Sequence, residues 1–368
     1  MAGLAKLELP RGPVIASVLR SSWRGTPESA ENLGGALARA TPTLLETGCG
    51  ALAWWRVRNS SLANESAAAP LREAFRLHSL QAAVHAKNLE HVIAHFNAAG
   101  LTPVVFKGWT LARLYARPGL RPYGDVDILV DRSEEARTRA VMATLSAELR
   151  AFVDLDMRVL GRFLPDRSFS ELVARSSTEE VGGCRFRVLS PEDHLRLVCL
   201  HQMDHGAWRP LWLCDVAAFV EALPAEFSWG TTLSGNAHLS EAVVALIALA
   251  EELLGARLPA GTPRTTVPQW FRRAVLHAWA GGFPPQADSL LKLHQIGVRR
   301  ATAALRARWP DPVTSTLHLR APFRGIPRPL LQTVECGRRA ILFARRTWRG
   351  GAVSPTSTIP PTGDGARS

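Results

Sequence analysis

Apolar residues recur at three- and four-residue intervals through residues 71–100, where Ala82, Ala86, Leu89, Val92, Ile93 and Phe96 share one face and Phe75 lies two turns before Ala82. That period predicts a long amphipathic helix with Gly100 as its stop. It belongs to a stretch, residues 36–99, that is mostly helical in pattern. The period then changes. PVVF (103–106) is a short continuous apolar run and predicts a buried strand. Residues 109–116 read as a helix, and PGLRPYG (118–124) as a rigid loop. GDVDILV (124–130) predicts a second strand, with Val126, Ile128 and Val130 on one face and Asp125 and Asp127 on the other. Residues 133–149 predict a helix with Ser133 as N-cap and Glu134 and Glu135 in its first turn. AFVDLDMRV (151–159) alternates, with Asp154, Asp156 and Arg158 opposite Val153, Leu155, Met157 and Val159; it predicts a third strand. CRFRVL (184–189) alternates in the same way and predicts a fourth.

From Ser190 the pattern is helical again. SPED (190–193) supplies an N-cap, a proline at the first helical position and two acids in the first turn. Further helices are predicted at 210–222, 239–255, 267–280, 284–306 and 329–347. The fold class is therefore α+β: a small mixed β-sheet core at 99–189, flanked by an N-terminal helical segment (1–98) and a C-terminal helical region (190–349) forming a bundle. The Pro/Gly/Ser/Thr-rich stretch 350–368 is expected to be a disordered tail.

Composition narrows the picture. No apolar run reaches the roughly 20 residues of a membrane span. The N-terminus lacks a signal-peptide pattern, and the five cysteines form no CxxC pair. These features predict free thiols in a reducing cytoplasm. The formal net charge is +12, and residues 297–349 carry twelve arginines against Asp311 and Glu335, a balance of +10. Such a region attracts polyanions, nucleic acid among them. Only four basic residues are lysine (Lys6, Lys87, Lys107, Lys292), and one of them stands in FKG just before the Asp125 loop. A compact ammonium is suited to a tight phosphate site.

The chemistry centres on Asp125 and Asp127. Two like charges side by side on a strand repel unless a cation sits between them. With Asp154 on a neighbouring strand, three carboxylates can bind two divalent cations, and such a pair holds a nucleoside triphosphate for in-line attack. Hard oxygen ligands point to magnesium, two Mg2+ ions. His201 and His205 lie one helical turn apart, with His194 two turns earlier. A zinc site there lacks a further ligand, and helix pairing with Asp215 as acceptor is the expected role. Trp208 and Trp212 are expected in the core.

At these residues the sequence resembles the uncharacterised nucleotidyltransferase family of bacteria, part of the DNA polymerase beta-like superfamily. The resemblance rests on a strand ending in Lys107-Gly108, a helix, then Arg121, Pro122, Asp125 and Asp127 followed by apolar residues. VDLDMRV matches the third acidic strand, with Asp154 at the acidic position and Asp156 where a His is usual. His201, His205, Trp208, Leu211, Trp212 and Asp215 extend the likeness, which covers roughly residues 50–255. The superfamily's usual Gly-Ser is here Gly108-Trp109. The resemblance implies a nucleotidyltransferase core, with an NTP, ATP by preference, as donor of AMP to a small-molecule or peptide acceptor. Asp125, Asp127 and Asp154 would be catalytic and metal-binding, and Lys107, Gly108 and Arg121 nucleotide-binding. Two alternatives stand beside it: a non-catalytic nucleotide-binding relative, which Gly108-Trp109 favours, and a nucleic-acid-directed enzyme using 297–349.

Overall fold

A computed structural model describes residues 11–155, 159–282 and 309–348. The chain divides into two compact units, Met1–Pro284 and Pro285–Ser368. Asp156, the helix expected at 284–306 and the tail at 350–368 lie outside the described residues, as do Arg299, Arg300, Arg306, Arg308 and Arg349 of the basic region.

The first unit is built on a five-stranded mixed sheet in the order β3-β2-β1-β5-β4. Its strands are β1 (Val104–Phe106), β2 (Val126–Leu129), β3 (Val153–Leu155), β4 (Ser177–Val181) and β5 (Cys184–Val188). β1 runs antiparallel to β2 and parallel to β5, and β2 runs parallel to β3. One sheet face is apolar. Val105, Val126, Ile128 and Phe186 pack there under Leu89, Val92, Ile93 and Phe96 of the helix Ala68–Ala98. The i, i+3, i+4, i+7 spacing of those four side chains puts them on one stripe. At about 1.5–3 kcal/mol for each fully buried large apolar side chain, this contact holds the helix to the sheet.

The sheet differs from expectation in two places. The third strand is short: helix Ala147–Phe152 takes its first two residues, and helix Val159–Phe163 takes its last. The helix expected at 133–149 is broken. Asp131, not Ser133, caps its start by accepting from the Ser133 N–H, and the chain turns extended at Leu145 before Ser146 caps the next helix. β4 was not expected. Its residues STEEV are mostly exposed at the sheet edge, and Gly182 and Gly183, at φ +58° and +77°, make the two-residue turn into β5.

Helices form as predicted at Pro191–Asp204, Pro210–Glu221, Ala237–Leu254 and Gln269–Gly281, and the first three pack on one another. The Ser190 hydroxyl accepts the Asp193 N–H at the start of the first. Asn236 caps the third by accepting from His238 and Leu239, and Gly255 ends it in the left-handed region. An unpredicted helix, Arg11–Leu19, packs so closely on Gln269–Gly281 that a Cβ on Gly12 would lie 2.1 Å from the Leu276 carbonyl oxygen. Among the described residues no helix is long and apolar enough to cross a membrane.

In the second unit, helices Pro312–His318 and Arg328–Trp348 pair. Glu335 is fully buried between them and accepts from His318, Arg338 and Arg339. Burial alone would raise its pKa, but these three donors outweigh it and hold the carboxyl down at about 2.

Candidate active site

β1 and β2 bring the site together. β1 ends at Phe106, and Lys107 turns the chain with φ +54°. A non-glycine residue holds such a conformation only where its neighbours fix it. The fixing partner is His194, whose Nε2 accepts the Lys107 N–H at 3.1 Å. The Lys107 carbonyl then accepts from the Leu111 N–H at 3.0 Å and the Thr110 hydroxyl at 2.6 Å, starting the helix Gly108–Ala112. Gly108 is needed where this turn passes the entry to β2, since a Cβ there would sit 2.9 Å from the Asp125 carbonyl oxygen.

The register then sets the acid groups. Asp127 lies opposite Phe106 on β1 and opposite Asp154 on β3. Side chains directly across a ladder share a face, so Asp127 and Asp154 meet on the face turned away from the apolar core. Asp127 is buried, Asp125 half-buried and Asp154 exposed on an edge strand. The Lys107 Nζ stands 2.5 Å from Asp127 Oδ1. Burial raises the Asp127 pKa, Lys107 lowers it, and the charges of Asp125 and Asp154 raise it again, leaving it at about 6. The charges of Asp125 and Asp154 thus both act on Asp127.

Carboxylate oxygens without thiolates are the ligand type that a hard divalent cation takes. Among the described residues, however, no three acidic, His or Cys side chains converge closely enough to enclose a metal as they stand. Lys107 is the cation on Asp127 instead.

Arg121 departs from its expected role. Its Nε and Nη2 donate to both oxygens of Asp215, at 3.1 and 3.0 Å, and Nη1 reaches only its neighbour's carbonyl, that of Pro122. The Tyr115 hydroxyl completes the cluster at 2.7 Å from Asp215 Oδ1. A buried carboxylate with this bidentate partner anchors the loop before β2 to the helix Pro210–Glu221. Asp215 therefore pairs with Arg121 and Tyr115, not with a histidine.

The histidines pack beside the site. The ring of His201 lies 4.7 Å from that of His205 and 5.2 Å from that of Trp212. Burial, then the charges of Lys107 and of its other cationic and His neighbours, hold His201 well below its usual pKa. His194 is pushed down to about 3 by burial, Lys107 and Arg121, so it is neutral at pH 7 and accepts at Nε2. Trp109 packs edge-on against Phe186 at 5.4 Å, with Arg113 over its ring. It is a packing residue of the β5 side.

Several contributors escaped the sequence reading. Tyr115 carries no motif signal. Asp215 stands out in the sequence, but its partner Arg121 lies 94 residues away.

No curated protein and no solved structure matches the chain. Residues 45–255, more than half of it, match the family model described as an uncharacterised nucleotidyltransferase. That match spans both acidic strands, the Lys107 turn, and the helices bearing His194 and Asp215. The chain therefore belongs to this nucleotidyltransferase family, a family of transferases of phosphorus-containing groups.

Proposed function

We propose that the protein transfers a nucleoside monophosphate, AMP, from ATP to a small-molecule or peptide acceptor and releases pyrophosphate. The observation that supports this most directly is the pairing of Asp127 with Asp154 across β2 and β3. Asp125, Asp127 and Asp154 would hold two magnesium ions, which supply positive charge at the phosphate oxygens and acidify the acceptor. Asp154, exposed on the edge strand, is the group open to the acceptor and takes its proton. Lys107 exchanges Asp127 for a phosphate oxygen, while His194 keeps its backbone fixed. Gly108 leaves room for the turn. Arg121 acts from behind, holding the loop that delivers Asp125.

The test is a thermal-shift screen of the four NTPs with magnesium, read beside pyrophosphate release. Wild type should be stabilised and turn over, ATP most of all. The pair Asp125→Asn/Asp127→Asn should lose both. Equal nucleotide stabilisation of the double variant would refute the carboxylate site. A second reading, a nucleotide-binding relative without turnover, is favoured by the Lys107–Asp127 ion pair occupying the acid cluster. It predicts stabilisation without pyrophosphate.

A further inference from the structure

We propose that Arg209 is the cation that receives the polyphosphate of the donor nucleotide on the Asp125 side of the site. This inference rests on the nucleotidyltransferase reading above and assigns a role that Arg121, committed to Asp215, does not fill. Arg209 is held at its root: Nε donates to the Thr47 carbonyl at 2.9 Å, and the guanidinium carbon lies 5.7 Å from the Trp212 ring centre. Both contacts leave Nη1 and Nη2 without an acceptor among the described residues. A half-buried guanidinium with two such nitrogens is ready for a bidentate oxyanion.

Its surroundings fit that task. Gly48, at φ +76°, faces the guanidinium, and a Cβ there would stand 2.7 Å from Nη2. The glycine thus clears the space that the fork occupies. Asp125 is near enough for its charge to act on Arg209, and so is Asp215, which Arg121 already neutralises. Trp212 also touches His201, and His201 feels Lys107. Trp212 therefore links the neighbourhoods of Arg209 and Lys107, the two cations proposed to receive phosphate. His78, on the helix Ala68–Ala98, adds an independent sign. Its buried Nδ1 has no hydrogen-bond partner among the described residues, and its pKa is pushed down to about 4 by burial and by Arg209.

The experiment measures binding of ATP and of inorganic tripolyphosphate, each with magnesium, to wild type, Arg209→Ala and Arg209→Lys by calorimetry. Histidine NMR on the wild type follows His78. Arg209→Ala should weaken both ligands at least tenfold, and Arg209→Lys should recover part of that loss. Tripolyphosphate should raise the His78 pKa in the wild type, because it neutralises the cation beside it; a purely structural Arg209 would not do this. The NMR arm needs no substitution, so misfolding of Arg209→Ala does not blunt the test. Unchanged affinity in both variants, or an unmoved His78 in ligand-saturated wild type, overturns the role of Arg209 while leaving the transferase reading intact. A wild type that binds neither ATP here nor any of the four NTPs in the thermal-shift screen overturns both.

Discussion

Asp127 carries the sharpest physical conflict at the scale of single residues. Its fold buries it, sets two acids beside it and offers one ammonium. The net result is a folded pKa of about 6, raised from an ordinary value of 3.8. A carboxyl whose pKa rises on folding favours the folded state in its protonated form. Its contribution is fully present below pH 3.8 and is lost as pH rises through about 6. Two units correspond to up to about 3 kcal/mol. In chelator, wild type should therefore lose stability between pH 4 and pH 7 relative to Asp127→Asn, in which this titration is absent. Denaturant midpoints at a series of pH values measure the difference, and parallel curves for the two proteins would contradict it. Magnesium should reverse the trend, since a metal binds the deprotonated form.

Between elements, the critical contact is the crossing of the β1 exit and the β2 entry. Gly108→Ala would press a methyl group against the Asp125 carbonyl oxygen at 2.9 Å, a backbone atom that cannot swing aside. The strand must shift, and Asp125 and Asp127 shift with it. The expected result is a fall in turnover of tenfold or more with a stability loss of about 1–3 kcal/mol. Pyrophosphate release read beside a melting curve checks this; full activity would show that the crossing tolerates movement. This crossing also shows what the sequence makes legible. PVVF and VDIL are buried on both faces or alternate cleanly, so β1, β2 and the Asp125/Asp127 pair stand out. SPED marks its helix start because the cap is local chemistry. AFVDLDMRV misleads because alternation does not limit strand length, and Ala147–Phe152 is helical behind its own Ser146 cap. STEEV hides because an exposed edge strand has no apolar face, although Gly182-Gly183 announces its turn. Lys107 and Asp127 flank the one connection between β1 and β2 and are readable together. Arg121 with Asp215, and Arg209 with Thr47 and Gly48, are not, because contacts made across 94 or 162 residues exist only after folding.

For the whole molecule, charge and chemistry lie in different units. Every residue assigned to the site, from Lys107 to Asp215, falls within Met1–Pro284. Most of the excess positive charge falls in 297–349. Part of that charge is already used internally: Arg338 and Arg339 donate to Glu335, and the buried Arg328 donates to the Pro322 carbonyl and the Thr316 hydroxyl. Arg320 and Arg345 are exposed among the described residues and remain available to a polyanion. A chain ending at Pro284 should therefore fold, bind ATP with magnesium as tightly as the full chain, and lose salt-steep binding to single-stranded RNA. Each phosphate neutralised contributes about 0.7 to the slope of log K against log salt, so the full chain should show the steeper line. The two measurements separate the acceptor classes. If the shortened chain keeps both RNA affinity and its slope, the polyanion surface belongs to the first unit, close to the chemistry, and RNA becomes the acceptor to test. If it keeps ATP and loses RNA, the basic region recruits or tethers, and the acid cluster acts on a smaller acceptor.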